Sequence, residues 1–164
     1  MIILVKNKHT LQIDEFKFKC CIGKNGSTKI KKEGDKKTPK GTFKIENLYF
    51  RKDRIGKPLT LLKCISIKKS MGWCNDISFP SKYNKLFKIE KKVRHEKLKR
   101  QDYKYDLLIP IKYNFKKPIP GLGSCIFIHL TKDYKPTAGC IALKEKDFLI
   151  MLKLIKKNSK IKIF

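Results

Sequence analysis

Only one stretch of this chain, Lys144 to Lys157, keeps a helical period: Phe148, Met151, Leu152 and Ile155 fall at i, i+3, i+4 and i+7 and leave one apolar face. Asn158 and Ser159 stop it. Nearly everything before it breaks into short apolar runs separated by turn signals, which is the pattern of strands. Many short strands and a single late helix confine the chain to a mainly β domain with a small α component. At 164 residues it is long enough to bury a core without staples, and residues 1–164 form one domain by this reading.

Ile2 to Val5 and Thr10 to Ile13 alternate around a turn at Asn7-Lys8, and Phe16, Phe18 and Cys20 place three apolar groups on one face of a third strand. Gly23 to Lys37 has loop composition. Thr42 to Phe50 and Leu59 to Ile67 predict two further strands joined by a basic turn. Met71 to Asn84 lacks a regular period and holds the only Trp, which predicts an ordered loop. Its Trp73 and Asp76 have two readings: a substrate wall, or a loop anchored by a buried indole. Leu86 to Gln101 is lysine-rich with a partial helical stripe through Ile89 and Val93. Tyr105 to Tyr113 returns to strand character, and Lys160 to Phe164 alternates as a last strand.

The chemistry gathers between Ser124 and Leu143. Ile126 to Leu130 reads as a buried strand that ends near His129, Asp133 to Gly139 as a loop, and Ile141 to Leu143 as a second apolar segment directly after Cys140. This order can return Cys140 to the side of His129. A thiolate is a strong nucleophile, and a nearby imidazole withdraws its proton and steadies the anion. Gly139 has no Cβ to hold a substrate carbonyl away, and the N–H groups of the Ala138 to Cys140 turn suit a developing oxyanion. Thr137 either orients His129 or the thiolate, or satisfies the backbone of its own loop.

The run His129 … Pro136-Thr137-Ala138-Gly139-Cys140-Ile141-Ala142-Leu143 resembles the signature of the L,D-transpeptidase (YkuD-like) catalytic domain family, in the bacterial branch with a Pro-Thr-Ala-Gly-Cys motif. Gly23-Lys24-Asn25-Gly26, the stretch Glu33-Gly34-Asp35 … Thr38-Pro39-Lys40-Gly41-Thr42-Phe43, Trp73-Cys74-Asn75-Asp76, Tyr105-Asp106-Leu107 and Pro120-Gly121-Leu122-Gly123-Ser124 resemble its other landmarks, in order, over most of the chain. The resemblance implies a β-sandwich with a C-terminal helix and irregular active-site loops, with Cys140 and His129 in a cleft at one edge. It also implies a cysteine acyltransferase of cell-wall biogenesis and cell shape. The acyl donor would be a peptidoglycan stem peptide, and carbapenem-type compounds would be covalent inhibitors. L,D-carboxypeptidase or amidase outcomes on the same site stay open. Many members carry Arg two residues after the cysteine, where this chain has Ala142; Arg100 and Arg94 are the candidates to meet a substrate carboxylate in its place. Trp73, Asp76, Arg100 and Tyr105 are carried as substrate-binding candidates, with His95 and Glu96 behind them.

The formal charge of +27 raises a competing reading, a basic protein that binds nucleic acid or another anionic polymer. Its make-up argues against specific nucleic-acid recognition. Of 41 basic residues only Arg51, Arg54, Arg94 and Arg100 are arginine, and the lysines are spread from end to end. The six cysteines form no CxxC pair and only three histidines accompany them, so neither a zinc site nor a disulfide framework is expected. Cys20, Cys21, Cys64 and Cys125 read as small core residues. The acyl-transfer chemistry requires no cofactor. No run reaches the ~20 apolar residues of a membrane span, and Met1 to Val5 is too short for a secretory leader. The family's place of work is the cell envelope or periplasm; with no leader visible, a cytoplasmic location stays open beside it.

Overall fold

The computed structural model describes residues 1–164. It begins with an antiparallel meander of β1 (Ile2–Val5), β2 (Thr10–Ile13) and β3 (Phe16–Lys19). Two short strands, β4 (Ser27–Thr28) and β5 (Thr38–Pro39), pair in parallel across the loop between them. Next come β6 (Gly41–Lys44), β7 (Leu48–Phe50), β8 (Cys64–Ser66), β9 (Met71–Cys74), β10 (Leu86–Lys88) and β11 (His95–Lys97). The chain closes with β12 (Leu107–Pro110), β13 (Phe127–Leu130), β14 (Ile141–Leu143), the helix α1 (Glu145–Leu154) and β15 (Lys160–Ile163).

Two five-stranded sheets carry the architecture, in the orders β3-β2-β1-β15-β6 and β14-β13-β12-β7-β8. Alternation sends Ile3, Val5, Leu11, Ile13, Ile161 and Ile163 from the first sheet, and Leu48, Leu107, Ile109, Ile128, Leu130, Ile141 and Leu143 from the second, into one shared core. The helix adds Phe148, Met151 and Leu152 to that core, and Ile155, the extended residue that ends the helix ahead of the expected stop at Asn158, adds the fourth position its period marks. The mainly β sandwich with one late helix is therefore the observed fold.

The second sheet is buried on its other face as well. There Tyr49, Leu108, Phe127 and Cys140 pack against Trp73, Leu98 and Tyr105, a smaller core closed by a third sheet of order β10-β9-β11. A sheet covered on both faces needs unbroken apolar strands. This is why Leu107–Pro110 and Phe127–Leu130 are buried at every position. His129 belongs to the second face, between the two covers.

Four expectations about secondary structure are corrected. Met71 to Asn84 does not begin as an irregular loop: Met71–Cys74 is the central strand of the third sheet, and Gly72 masks its alternation. A Cβ on Gly72 would lie 2.9 Å from the Ile89 side chain and 3.0 Å from the His95 ring. The lysine-rich stretch from Leu86 carries two short strands and no helix; Ile89 packs over Gly72 of β9, and Val93 is buried in the turn before β11. Thr42 to Phe50 divides between β6 and β7, which belong to different sheets. Of Leu59 to Ile67 only Cys64–Ser66 is strand, and Leu59 and Leu61 are exposed.

Candidate active site

Parallel pairing of β13 and β14 sets Ile128 opposite Ile141 and His129 opposite Ala142. One step back along the same register, Cys140 falls opposite Phe127, and the Phe127 N–H points at its sulfur at 3.4 Å. Phe127 and His129 share a face of their strand. Cys140 and His129 are therefore diagonal neighbours across paired strands. Both open on a cleft of about 560 Å³.

At rest the thiol is hydrogen-bonded to backbone and not to the imidazole. Cys140 Sγ donates to the Cys125 carbonyl at 3.1 Å. His129 Nδ1 lies 2.9 Å from the Leu130 carbonyl; a carbonyl only accepts, so Nδ1 carries the proton and Nε2 is the basic nitrogen. Burial pushes the Cys140 thiol up to about 12, with the Phe127 N–H pulling the other way, Glu96 raising it further and Lys31 and Arg100 opposing. Burial holds the His129 imidazole down to about 4. The resting pair is neutral on both sides at pH 7.

Protonation of His129 is coupled to unfolding. Between its ordinary value of 6.5 and about 4 the unfolded chain takes up a proton that the folded chain refuses. The unfolded state then binds more protons, so stability falls as pH drops through this window, by about 3 kcal/mol at its lower end. Melting temperature measured from pH 7 to 4 is expected to fall less steeply for His129→Gln than for the wild type. Equal slopes would contradict the assignment.

The turn before Cys140 is held by two threonines. Thr137 Oγ1 donates to the Cys140 carbonyl at 2.6 Å and accepts the Gly139 N–H at 3.1 Å, so this hydroxyl satisfies its own loop. It does not reach His129. The fully buried Thr38, in the Thr38-Pro39 segment, accepts the Gly23 N–H at 2.9 Å and donates to the Gly139 carbonyl at 2.8 Å. Gly139 has φ +141°, and a Cβ there would meet the Lys37 carbonyl at 2.9 Å. Only glycine fits under this crossing strand of backbone. The backbone N–H groups of Ala138 and Cys140 take part in no hydrogen bond within the chain.

Tyr105 is buried beneath the cleft with its ring edge-on to His129 at 5.4 Å and to Phe127 at 5.8 Å. Arg100 lies over the Tyr105 ring at 4.9 Å and lines the cleft. Arg94 does not: its guanidinium donates to the Asn75 carbonyl, and its N–H to Asp76. Asp76 shapes this turn, accepting from Ser78 as well, and lies outside the cleft. Trp73 also lies outside it. The indole is buried in the smaller core, edge-on to Phe127 at 5.3 Å, which matches the anchored reading and not the wall. His95 packs on Phe87 away from the site.

Several residues in and around the cleft are not among the sequence's site candidates. Cys125 has φ +54° and lends its carbonyl to the thiol, while its own Sγ turns to the Trp73 carbonyl at 3.7 Å. Its N–H is held by Asn84 Oδ1 at 3.1 Å, the atom that also accepts from Trp73 Nε1 at 3.0 Å. Asn84 Nδ2 reaches the Tyr113 and Asn114 carbonyls at 3.0 and 2.7 Å. Lys31 and Glu33 also line the cleft. Lys31 is paired with Asp35 at 2.6 Å, and Glu33 accepts from Tyr83 and Ser124.

No group of three or more metal-ligating side chains occurs, and no helix is long and apolar enough to cross a membrane. The family model for YkuD, the L,D-transpeptidase catalytic domain, matches residues 1–163. No curated protein matches the chain. Among solved structures, Bd1075 of Bdellovibrio bacteriovorus is similar over 99% of this chain at 17% identity, with a TM-score of 0.48. The chain spans about half of that protein, 47% of its length.

Proposed function

This chain belongs to the L,D-transpeptidase catalytic domain family, and from that premise we propose that it transfers acyl groups between peptidoglycan stem peptides through a thioester on Cys140. The observation that carries the reading is the diagonal placement of Cys140 and His129 on paired strands, opening together on one cleft. The thiol rotates from the Cys125 carbonyl toward His129 Nε2, which takes its proton as Sγ attacks the substrate carbonyl. The amide C–N bond then breaks and the imidazolium returns that proton to the leaving nitrogen. An incoming amine attacks the thioester, loses a proton to His129, and expels the thiolate, which is reprotonated. The unpaired N–H groups of Ala138 and Cys140 are suited to the oxyanion of both tetrahedral intermediates. The Gly139 N–H is not, because Thr137 occupies it.

A neutral, buried thiol is a poor nucleophile until its proton has a path. His129 supplies the path, since an imidazole held low gives up a proton readily once the leaving amine needs it. The test is mass spectrometry of the intact protein and of its products after incubation with purified tetrapeptide muropeptides. An acyl adduct on Cys140 together with cross-linked dimer is the expected result. Tripeptide without dimer would move the activity to L,D-carboxypeptidase, with water as the acceptor. No adduct and no product from the folded protein would sink acyl transfer on these substrates.

A further inference from the structure

Glu96 lines the cleft from β11, opposite Trp73 in the register, with about a third of its side chain exposed. Nothing holds its carboxylate closely. The Tyr105 hydroxyl reaches Oε2 only at 3.4 Å, and Arg100 Nη1 stands off at 3.7 Å. Asp102 accounts for the gap. It takes Arg100 Nε at 2.9 Å and Nη2 at 2.7 Å, and the guanidinium is also laid over the Tyr105 ring. Arg100 is thereby fixed short of Glu96, because closing the last ångström would break a bidentate pair.

On a chain with 41 Lys and Arg against 14 Asp and Glu, a cleft carboxylate without a close cation needs a reason. The other two cleft carboxylates are provided for: Asp133 pairs with Lys135 at 3.2 Å, and Glu33 accepts from Tyr83 and Ser124. Glu96 also works against the nucleophile, since its negative charge disfavours the Cys140 thiolate. That opposition disappears when a cation docks on it.

We propose that Glu96 receives an ammonium group of the substrate, so that the cleft selects peptides carrying a free side-chain amine. This deepens the stem-peptide reading and rests on it. Docking of the amine both orders the peptide beside Cys140 and cancels the one cleft charge that most opposes thiolate formation. Binding and activation of the nucleophile are then a single event, and a peptide lacking the amine forfeits both.

The test uses two tetrapeptide stems that differ only at the third residue, whose side-chain amine is free in one and acetylated in the other. Calorimetric binding to the Cys140→Ala protein reads the preference without turnover. The free amine is expected to bind about fivefold tighter, the upper range for a partly exposed ion pair. Glu96→Gln in the same background is expected to equalise the two, and Glu96→Asp to keep part of the difference. A preference that survives Glu96→Gln, equal binding to the parent protein, or no binding of either peptide would each overturn the proposal. The acyl adduct on the wild-type protein is scored separately. An adduct with equal affinities leaves the function standing and removes Glu96 from it; a Glu96-dependent preference without an adduct does the reverse.

Discussion

Cys140→Ala is expected to lower turnover of stem peptides by about 10⁴-fold or more while the protein stays folded. The loss is large because no other group near His129 can form the thioester. Cys125, the neighbouring cleft thiol, has its sulfur turned to the Trp73 carbonyl, Cys21 pairs with Ala142 with its sulfur on the Lys135 carbonyl, and Cys20 is fully buried. The structural cost is small by comparison. The sulfur receives one long contact from Phe127 N–H and gives one to Cys125 O, worth about 1 kcal/mol together. For a chain of this length that shifts the melting temperature by about 2–4 °C. Turnover assays and thermal melts of the same preparation decide it: a folded Cys140→Ala protein that keeps even a hundredth of wild-type turnover would remove Cys140 from the chemistry.

Asn84→Ala is expected to be the most destabilising of the changes considered, by about 4 kcal/mol, or about 10 °C in melting temperature. Four groups depend on this one amide: Trp73 Nε1, the Cys125 N–H, and the Tyr113 and Asn114 carbonyls. The residue is 4% exposed, so water cannot readily replace what is lost. Its backbone φ of +53° adds to the cost, because asparagine tolerates the left-handed region better than alanine. A loss below about 3 °C for Asn84→Ala would mean the loops it joins are held by packing instead.

The parts legible in the sequence are those whose residues decide their own surroundings. Phe148, Met151, Leu152 and Ile155 mark the buried helix face because a period of 3.6 can be satisfied by one element alone. Ile126 to Leu130 announces a strand buried on both faces by its unbroken run, and His129 and Cys140 stand out as chemistry within an apolar setting. What was not legible depends on partners far along the chain. Thr38 gains its role only where backbone from Gly23 and Gly139 converges on it, separated by 15 and 101 residues. Glu96 and Arg100 stand out in the sequence as candidates, but where they point is set only by Asp102 and Tyr105. Met71–Cys74 was hidden for another reason: a glycine in a short strand erases the alternation that would reveal it, and here the neighbour's bulk requires that glycine.

The pairing of β1 with β15 has a consequence for how the molecule is made. In the order β3-β2-β1-β15-β6, the C-terminal strand fills the slot between the first strand and the sixth, parallel to one and antiparallel to the other. During synthesis the N-terminal meander leaves the ribosome with one ladder of β1 unpaired, and it stays so until Lys160 to Ile163 has emerged. Contacts of such long sequence separation also slow folding, because loop closure precedes any reward from pairing. The nascent chain therefore carries an open sheet edge at β1 until β15 has emerged, and the first sheet is completed only then.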